Sequence, residues 1–222
     1  MSRKSNPHRR SGEVERPWDA RLARSMVTPL AHTWVHPNHL TTLRLAVGLA
    51  AAVAFTRGTY LASNVGALLW VLSSVLDHAD GELARMTGTS SRFGHLYDLA
   101  SDAAVTVLLF IAIGIGAGAQ IATPLGLAPA ALGAIAGIAV ALIFTVRLRV
   151  EELMGKSATR QALIAGFQTE DVLYLLPLVT LCGVLAPFLL AASLGAPLFA
   201  MWVLIDYWRV MRRRRIAVHS VS

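Results

Sequence analysis

Four aspartates in one short stretch, DHADGELARMTGTSSRFGHLYDLASD (77–102), have the type and spacing for chemistry. Asp77 and Asp80 are three positions apart, and Gly81 and Ala84 follow at offsets four and seven from Asp77. On an α-helix these residues lie close to one face. Asp98 and Asp102 are four apart, with Gly94 four positions ahead of Asp98, so they also share a face. The segment between them, MTGTSSRF, reads as a turn that lets the two faces meet. Four carboxylates then converge on a small volume. Like charges this close repel, and the nearness of lipid adds a desolvation cost, so protons or cations must neutralise them. All-oxygen ligand sets suit hard ions such as Mg²⁺, Mn²⁺ or Ca²⁺. Four carboxylates suffice for two divalent ions, the arrangement that holds a phosphoryl group in transfer chemistry. The glycines remove side chains where a bulky ligand must approach, and Arg85 adds a planar cationic fork suited to phosphate oxygens.

Written with its spacing, the stretch is Asp77-x2-Asp80-Gly81-x2-Ala84-Arg85-x8-Gly94-x3-Asp98-x3-Asp102. At every defined position it resembles the signature of the CDP-alcohol phosphotransferases (CDP-alcohol phosphatidyltransferases), integral membrane enzymes that make phospholipid headgroup linkages. A Pro-Asn-x-Leu-Thr stretch at 37–41 and the hydropathy pattern extend the resemblance more loosely. The resemblance implies a CDP-linked lipid donor, CDP-diacylglycerol by default, a small polar alcohol acceptor, release of CMP, and a homodimer. It implies two divalent cations, Mg²⁺ or Mn²⁺, held by Asp77, Asp80, Asp98 and Asp102, with Asp102 as the base that takes the acceptor proton. It places Asn38, Thr41, Gly81, Ala84, Arg85 and Gly94 around the CDP-alcohol. Ala103 stands after Asp102, where relatives that use inositol phosphate tend to carry arginine, which lowers the standing of that acceptor. Glycerol phosphate, inositol phosphate, serine, choline and ethanolamine are the acceptors to consider.

These aspartates must be positioned by a chain of 222 residues that is 55% hydrophobic and only 15% charged, with a mean hydropathy of +0.56. This composition belongs to a polytopic membrane protein. The single cysteine, Cys182, excludes an intrachain disulfide and a thiolate metal site. The formal charge of +7 is read as topological, not as a nucleic-acid footprint, because no soluble domain interleaves basic and aromatic residues.

Residues 1–18 are expected to form a disordered cytoplasmic tail. From Asp19 to Val35, Leu22, Met26, Leu30 and Trp34 recur every four residues, predicting a short amphipathic interfacial helix bent at Pro29. Six transmembrane helices are expected to follow, making an all-α integral membrane domain over 19–211 with a basic tail at 212–222. They run from Pro37 to about Phe55, Tyr60 to Leu76, Gly94 to about Ala119, Leu127 to Phe144, Asp171 to Leu185, and Phe188 to Tyr207. Arg44 is read as a cation snorkelling to the surface. With both termini inside, every one of the 20 Lys and Arg residues except Arg57 falls on or near the cytoplasmic side. The aspartates are then at the cytoplasmic face of a bacterial inner membrane. Arg147, Arg149, Lys156 and Arg160 fall in a basic loop on that side, either as topology signals or as an acceptor-phosphate pocket. Glu82 is read as solvated or supporting, and His78 as a polar interfacial residue turned about 100° from Asp77. Gly/Ala-rich residues 114–141 are expected to allow close helix packing. Two other classes compete with the enzyme: a cation transporter using the same carboxylates, and a scaffold protein without catalysis.

Overall fold

The computed structural model describes residues 24–89, 92–121, 127–154 and 171–219, and they are helical throughout apart from short connections. The helices are α1 (Pro37–Thr56), α2 (Tyr60–Thr87), α3 (Arg92–Ala117), α4 (Pro129–Met154), α5 (Asp171–Tyr174), α6 (Leu176–Leu181) and α7 (Leu185–His219). Five of them, α1 to α4 and α7, carry stretches long and apolar enough to cross a membrane. The protein is a multi-pass, all-α membrane protein.

Local chemistry explains where these helices start and stop. His36 caps α1: its Nδ1 accepts the N–H of Asn38, and His39 Nδ1 accepts the N–H of His36 in return. Pro37 occupies the first turn, where its missing N–H costs nothing. Thr59 caps α2 through its hydroxyl. That helix ends at Gly88, whose φ of +65° stops it within the expected turn. With 28 residues, roughly 42 Å long, α2 continues well past the apolar run that was expected to end at Leu76. Asp77 and Asp80 therefore stand inside a helix, and their relative orientation is set by its geometry.

The expected fifth and sixth spans look different in the structure. Residues 171–181 form two short helices that break at Leu175, just before Pro177 in the first turn of α6. The next break is at Cys182–Val184, not at Ala186–Pro187. Gly183 adopts φ +68°, its N–H donates to Thr180 O, and Val184 N–H donates to Val179 O. This pairing closes the C-terminus of α6. Pro187 then falls within the first turn of α7, where no intrahelical N–H bond is lost. α4 also differs from expectation: it runs through Arg147 and Arg149, so both stand on a helix and not in a loop.

The interfacial helix is helical at 24–27 and turns at 28–32, around Pro29; residues 19–23 lie outside the described residues, as does the 1–18 tail. Its packing differs from the predicted stripe. Val27 is fully buried against Leu40, Leu76, Ala79 and Leu83, while Met26 and Trp34 are exposed.

The main core lies between α1, α2, α3 and α7, with Phe55, Leu109, Ile113 and Leu189 fully buried. In lipid, helices gain little from burying apolar side chains against each other, so close backbone approach carries more of the association. α3 and α4 meet this way. A Cβ on Gly133 would collide with the carbonyl oxygen of Phe110, which is backbone and cannot swing aside. Gly133→Ala is therefore expected to lower the unfolding temperature in detergent. Gly195→Ala is the matched control, since nothing lies within 4 Å of that position. It should leave stability unchanged or raise it by about 1 kcal/mol through helix propensity. Equal behaviour of the two variants would remove close packing as the reason for Gly133.

Candidate functional site

Three helices bring the acidic residues together. α2 contributes Asp77 and Asp80, one turn apart, and α3 contributes Asp98 and Asp102, one turn apart. The carboxylates of Asp77, Asp98 and Asp102 converge so that one ligand atom from each lies within 4.8 Å of the others. Asp80 is more deeply buried and is held separately: Thr41 of α1 donates its hydroxyl to Asp80 Oδ2 at 2.7 Å. Three of the four carboxylates expected to converge do so, while Asp80 faces Thr41 instead.

A cation that sequence reasoning placed at the surface sits at the centre. Arg44 is 3% exposed. Its Nη1 donates to Oδ1 of Asp77 and to Oδ1 of Asp102, the latter at 2.5 Å. Its Nη2 donates to the main-chain oxygen of Asp98 at 3.2 Å and pairs with Asp98 Oδ1 at 3.1 Å. The main chain at Arg44 is tied to α2, because Ser73 donates its hydroxyl to Arg44 O at 3.1 Å. The snorkelling expectation fails for a physical reason. Leu40, Thr41, Arg44 and Gly48 form the buried stripe of α1, and an anionic cluster faces that stripe, so the guanidinium is better solvated by carboxylates than by water. The available signal was three-residue spacing from Thr41, on the face that the Pro-Asn-x-Leu-Thr stretch turns toward the acids.

A cavity of about 240 Å³ opens beside the cluster. Its walls include Arg44, Trp70, Asp77, Asp102, Phe144 and Tyr174, drawn from α1 to α5. Trp70 Nε1 is buried there without a hydrogen-bond partner among the described residues. The cavity wall thus combines charged and apolar side chains, with room for a small polar molecule.

The model of the CDP-alcohol phosphatidyltransferase family matches residues 34–211, which include every element that builds this site. The chain belongs to that family. Among similar proteins, the CDP-diacylglycerol–glycerol-3-phosphate 3-phosphatidyltransferase of Rickettsia felis is 39% identical over 66 residues, 30% of this chain and 36% of that protein. The bifunctional IPC transferase and DIPP synthase of Rubrobacter xylanophilus is 30% identical over 131 residues, 59% of this chain and 28% of that protein. Cholinephosphotransferase 1 of Danio rerio is 36% identical over 90 residues, 37% of this chain and 23% of that protein. The chain spans little more than a third of the first relative's length and less of the other two. These matches lend no support to the cation-transporter reading.

The remaining positions of the CDP-alcohol phosphatidyltransferase motif lie along α2 and the start of α3. Gly81 leaves open space: a Cβ there would meet only Arg85 Nη2, at 3.7 Å. Ala84 and Gly94 are half-buried. The Arg85 side chain is 62% exposed; its Nε donates to Gly81 O at 3.2 Å, and its Nη2 pairs with Glu82 Oε1 at 3.0 Å. Glu82 itself is 5% exposed, which corrects the expectation of a solvated group. It falls on the same buried side of α2 as Ala79, Leu83 and Met86. Asn38 is half-buried in the first turn of α1, and its main-chain oxygen accepts from the Thr42 hydroxyl at 2.8 Å. His78 stands outside the group of converging carboxylates and lines the adjoining cavity, with Nδ1 at 2.9 Å from Ser74 O.

The four proposed acceptor cations are not brought together among the described residues. Arg147 lies over the Phe199 ring of α7, 5.5 Å from its centroid. Arg149 is exposed on α4. The cavity face of α4 is instead formed by Ala141, Phe144, Thr145 and Leu148. Lys156 and Arg160 lie outside the described residues.

Proposed function

We propose that this protein is a membrane CDP-alcohol phosphotransferase of phospholipid synthesis. In this reading it moves a substituted phosphate group, phosphatidyl first among the candidates, from a CDP-alcohol to an acceptor hydroxyl and releases CMP. One observation carries the proposal: three carboxylates from facing helices converge on one volume, with a fourth held one turn away by Thr41.

The donor set fits a hard divalent cation, since it is all oxygen, multiply charged and close enough to share ligands. Asp77, Asp80, Asp98 and Asp102 would hold two ions, Mg²⁺ or Mn²⁺. Bound there, they would neutralise charge on the phosphate under attack and on departing CMP. The protein's own residues would do the rest. Gly81, Ala84 and Gly94 leave room for the cytidine portion, Arg85 meets nucleotide phosphate, and Asn38 and Thr41 support the motif from α1. The acceptor oxygen attacks phosphorus, the bond from phosphorus to the CMP oxygen breaks, and the acceptor proton passes to Asp102. Among the three converging carboxylates, the Asp102 side chain is the most accessible, at 49% against 32% for Asp77 and 35% for Asp98.

The same reading includes CDP-diacylglycerol as donor, a homodimer, and a domain over 19–211 between a cytoplasmic tail at 1–18 and a basic tail at 212–222. It also includes a bacterial inner-membrane location with both termini and the aspartates cytoplasmic. Six crossings are proposed, the fifth contributed by the segment from Asp171 to about Leu185 and the sixth by α7; the cytoplasmic bias of Lys and Arg supports an even number. An acceptor-phosphate role for Arg147, Arg149, Lys156 and Arg160 stays within the proposal, although Arg147 is engaged with Phe199.

The test is CMP release by purified protein given CDP-diacylglycerol, Mn²⁺ and a panel of glycerol phosphate, inositol phosphate, serine, choline and ethanolamine. Release that depends on one acceptor and stops on chelation is the expected result, and it names the acceptor. Folded protein that releases no CMP with any acceptor, from this or other CDP-alcohols, would overturn the reading in favour of a scaffold or transporter.

A further inference from the structure

Resting on the reading of the aspartates as a divalent-cation centre, we infer that Arg44 is a tethered cation that contends with the metal for the same carboxylates. Metal loading then has to draw its guanidinium out of the cluster. The geometry sets this competition. Arg44 uses Oδ1 of Asp77, Oδ1 of Asp102 and both Oδ1 and the main-chain oxygen of Asp98. A divalent cation ligated by these three residues must lie within about 2.0–2.6 Å of their oxygens. One ligand atom from each lies within 4.8 Å of the others, so the volume available is small. A guanidinium paired with these carboxylates fills much of it, and its charge repels the incoming ion.

The attachment of Arg44 allows such an exchange. Its main chain is pinned to α2 by Ser73, so the movement required is confined to the side chain. Its Nε is buried without a hydrogen-bond partner among the described residues, so one of its five donors has nothing to give up. The adjoining cavity is lined by Arg44 itself and has space for the displaced fork. The guanidinium pairs with carboxylates that would otherwise repel one another across α2 and α3. The competition lowers metal affinity and couples metal entry to the position of one α1 side chain.

The experiment is Mn²⁺ binding to the full-length protein in detergent, read from the electron paramagnetic resonance signal of free Mn²⁺. Arg44→Gln is expected to bind Mn²⁺ at least tenfold more tightly than wild type. Equal or weaker binding by the variant would overturn the inference, since it would make Arg44 a supporting partner of the metal site. A second readout needs no variant. Wild type labelled with ¹⁵N-arginine should show slowly exchanging Nη–H signals from the pinned guanidinium, and these should be lost as Mg²⁺ saturates the site. Their persistence at saturation would also overturn it. Neither readout uses CMP release. Acceptor-dependent release with no competition removes this inference alone, whereas competition without release from any donor removes the functional reading alone.

Discussion

Replacing Asp102 with asparagine is expected to lower acceptor-dependent CMP release by about three orders of magnitude, within the range for loss of a general base that also touches a metal. Asparagine keeps the shape of the side chain and one oxygen facing Arg44 Nη1, which lies 2.5 Å from Asp102 Oδ1. It cannot take up a proton from the acceptor at neutral pH. The change should therefore appear in kcat, with little effect on donor KM, because the proposed function puts the CDP portion against Gly81, Ala84, Arg85 and Gly94 instead. The measurement is steady-state CMP release at saturating Mn²⁺, with thermal unfolding run beside it to establish that the variant is folded. An Asp102→Asn protein within tenfold of wild-type kcat would take the proton-transfer role away from this residue.

The second large effect is expected at Thr41, which does no chemistry itself. Its hydroxyl is the hydrogen-bond donor to Asp80 Oδ2, at 2.7 Å, and Asp80 is 5% exposed. Thr41→Val has nearly the same volume but leaves that carboxylate oxygen without its partner, at a cost of about 1–3 kcal/mol or more for a charged group. Asp80 is then free to rotate, and residues that orient metal ligands typically matter by about 10–100-fold. The expected outcome is a loss of CMP release of that size together with a higher Mn²⁺ requirement. Thr41→Ser, which restores the hydroxyl but not the methyl group, should recover most of both. If Thr41→Val kept the wild-type Mn²⁺ requirement, or if serine failed to rescue it, Thr41 would be a packing residue only.

Much of the site was legible because helical spacing is rigid. Asp77 with Asp80, and Asp98 with Asp102, had to share faces once their segments were helical, and Gly88 in the intervening turn supplied the left-handed residue that ends α2. Breaks that depend on competition between signals were less legible. Pro187 looked like the boundary between the last two apolar runs, but proline is tolerated in a first helical turn, and Gly183 made the actual stop. Likewise, the basic residues after Phe144 read as a loop, yet α4 carries them onward as helix.

By itself the sequence determined an all-α membrane chain, the pairing of its acidic faces and the chemistry those acids suit, since composition and local spacing carry that information. Only the tertiary structure decided which way each helix turns. α1 is apolar nearly all round, and lipid solvates such a helix about as well as a protein interior does, so periodicity does not identify its buried stripe. Packing against α2 and α3 turned Arg44 inward to the aspartates and Thr41 onto Asp80, and the packing of α2 buried Glu82 beside Leu83. The placements of Arg44 and Thr41 follow from contacts between residues 29 to 58 positions apart, which no local reading of the chain contains.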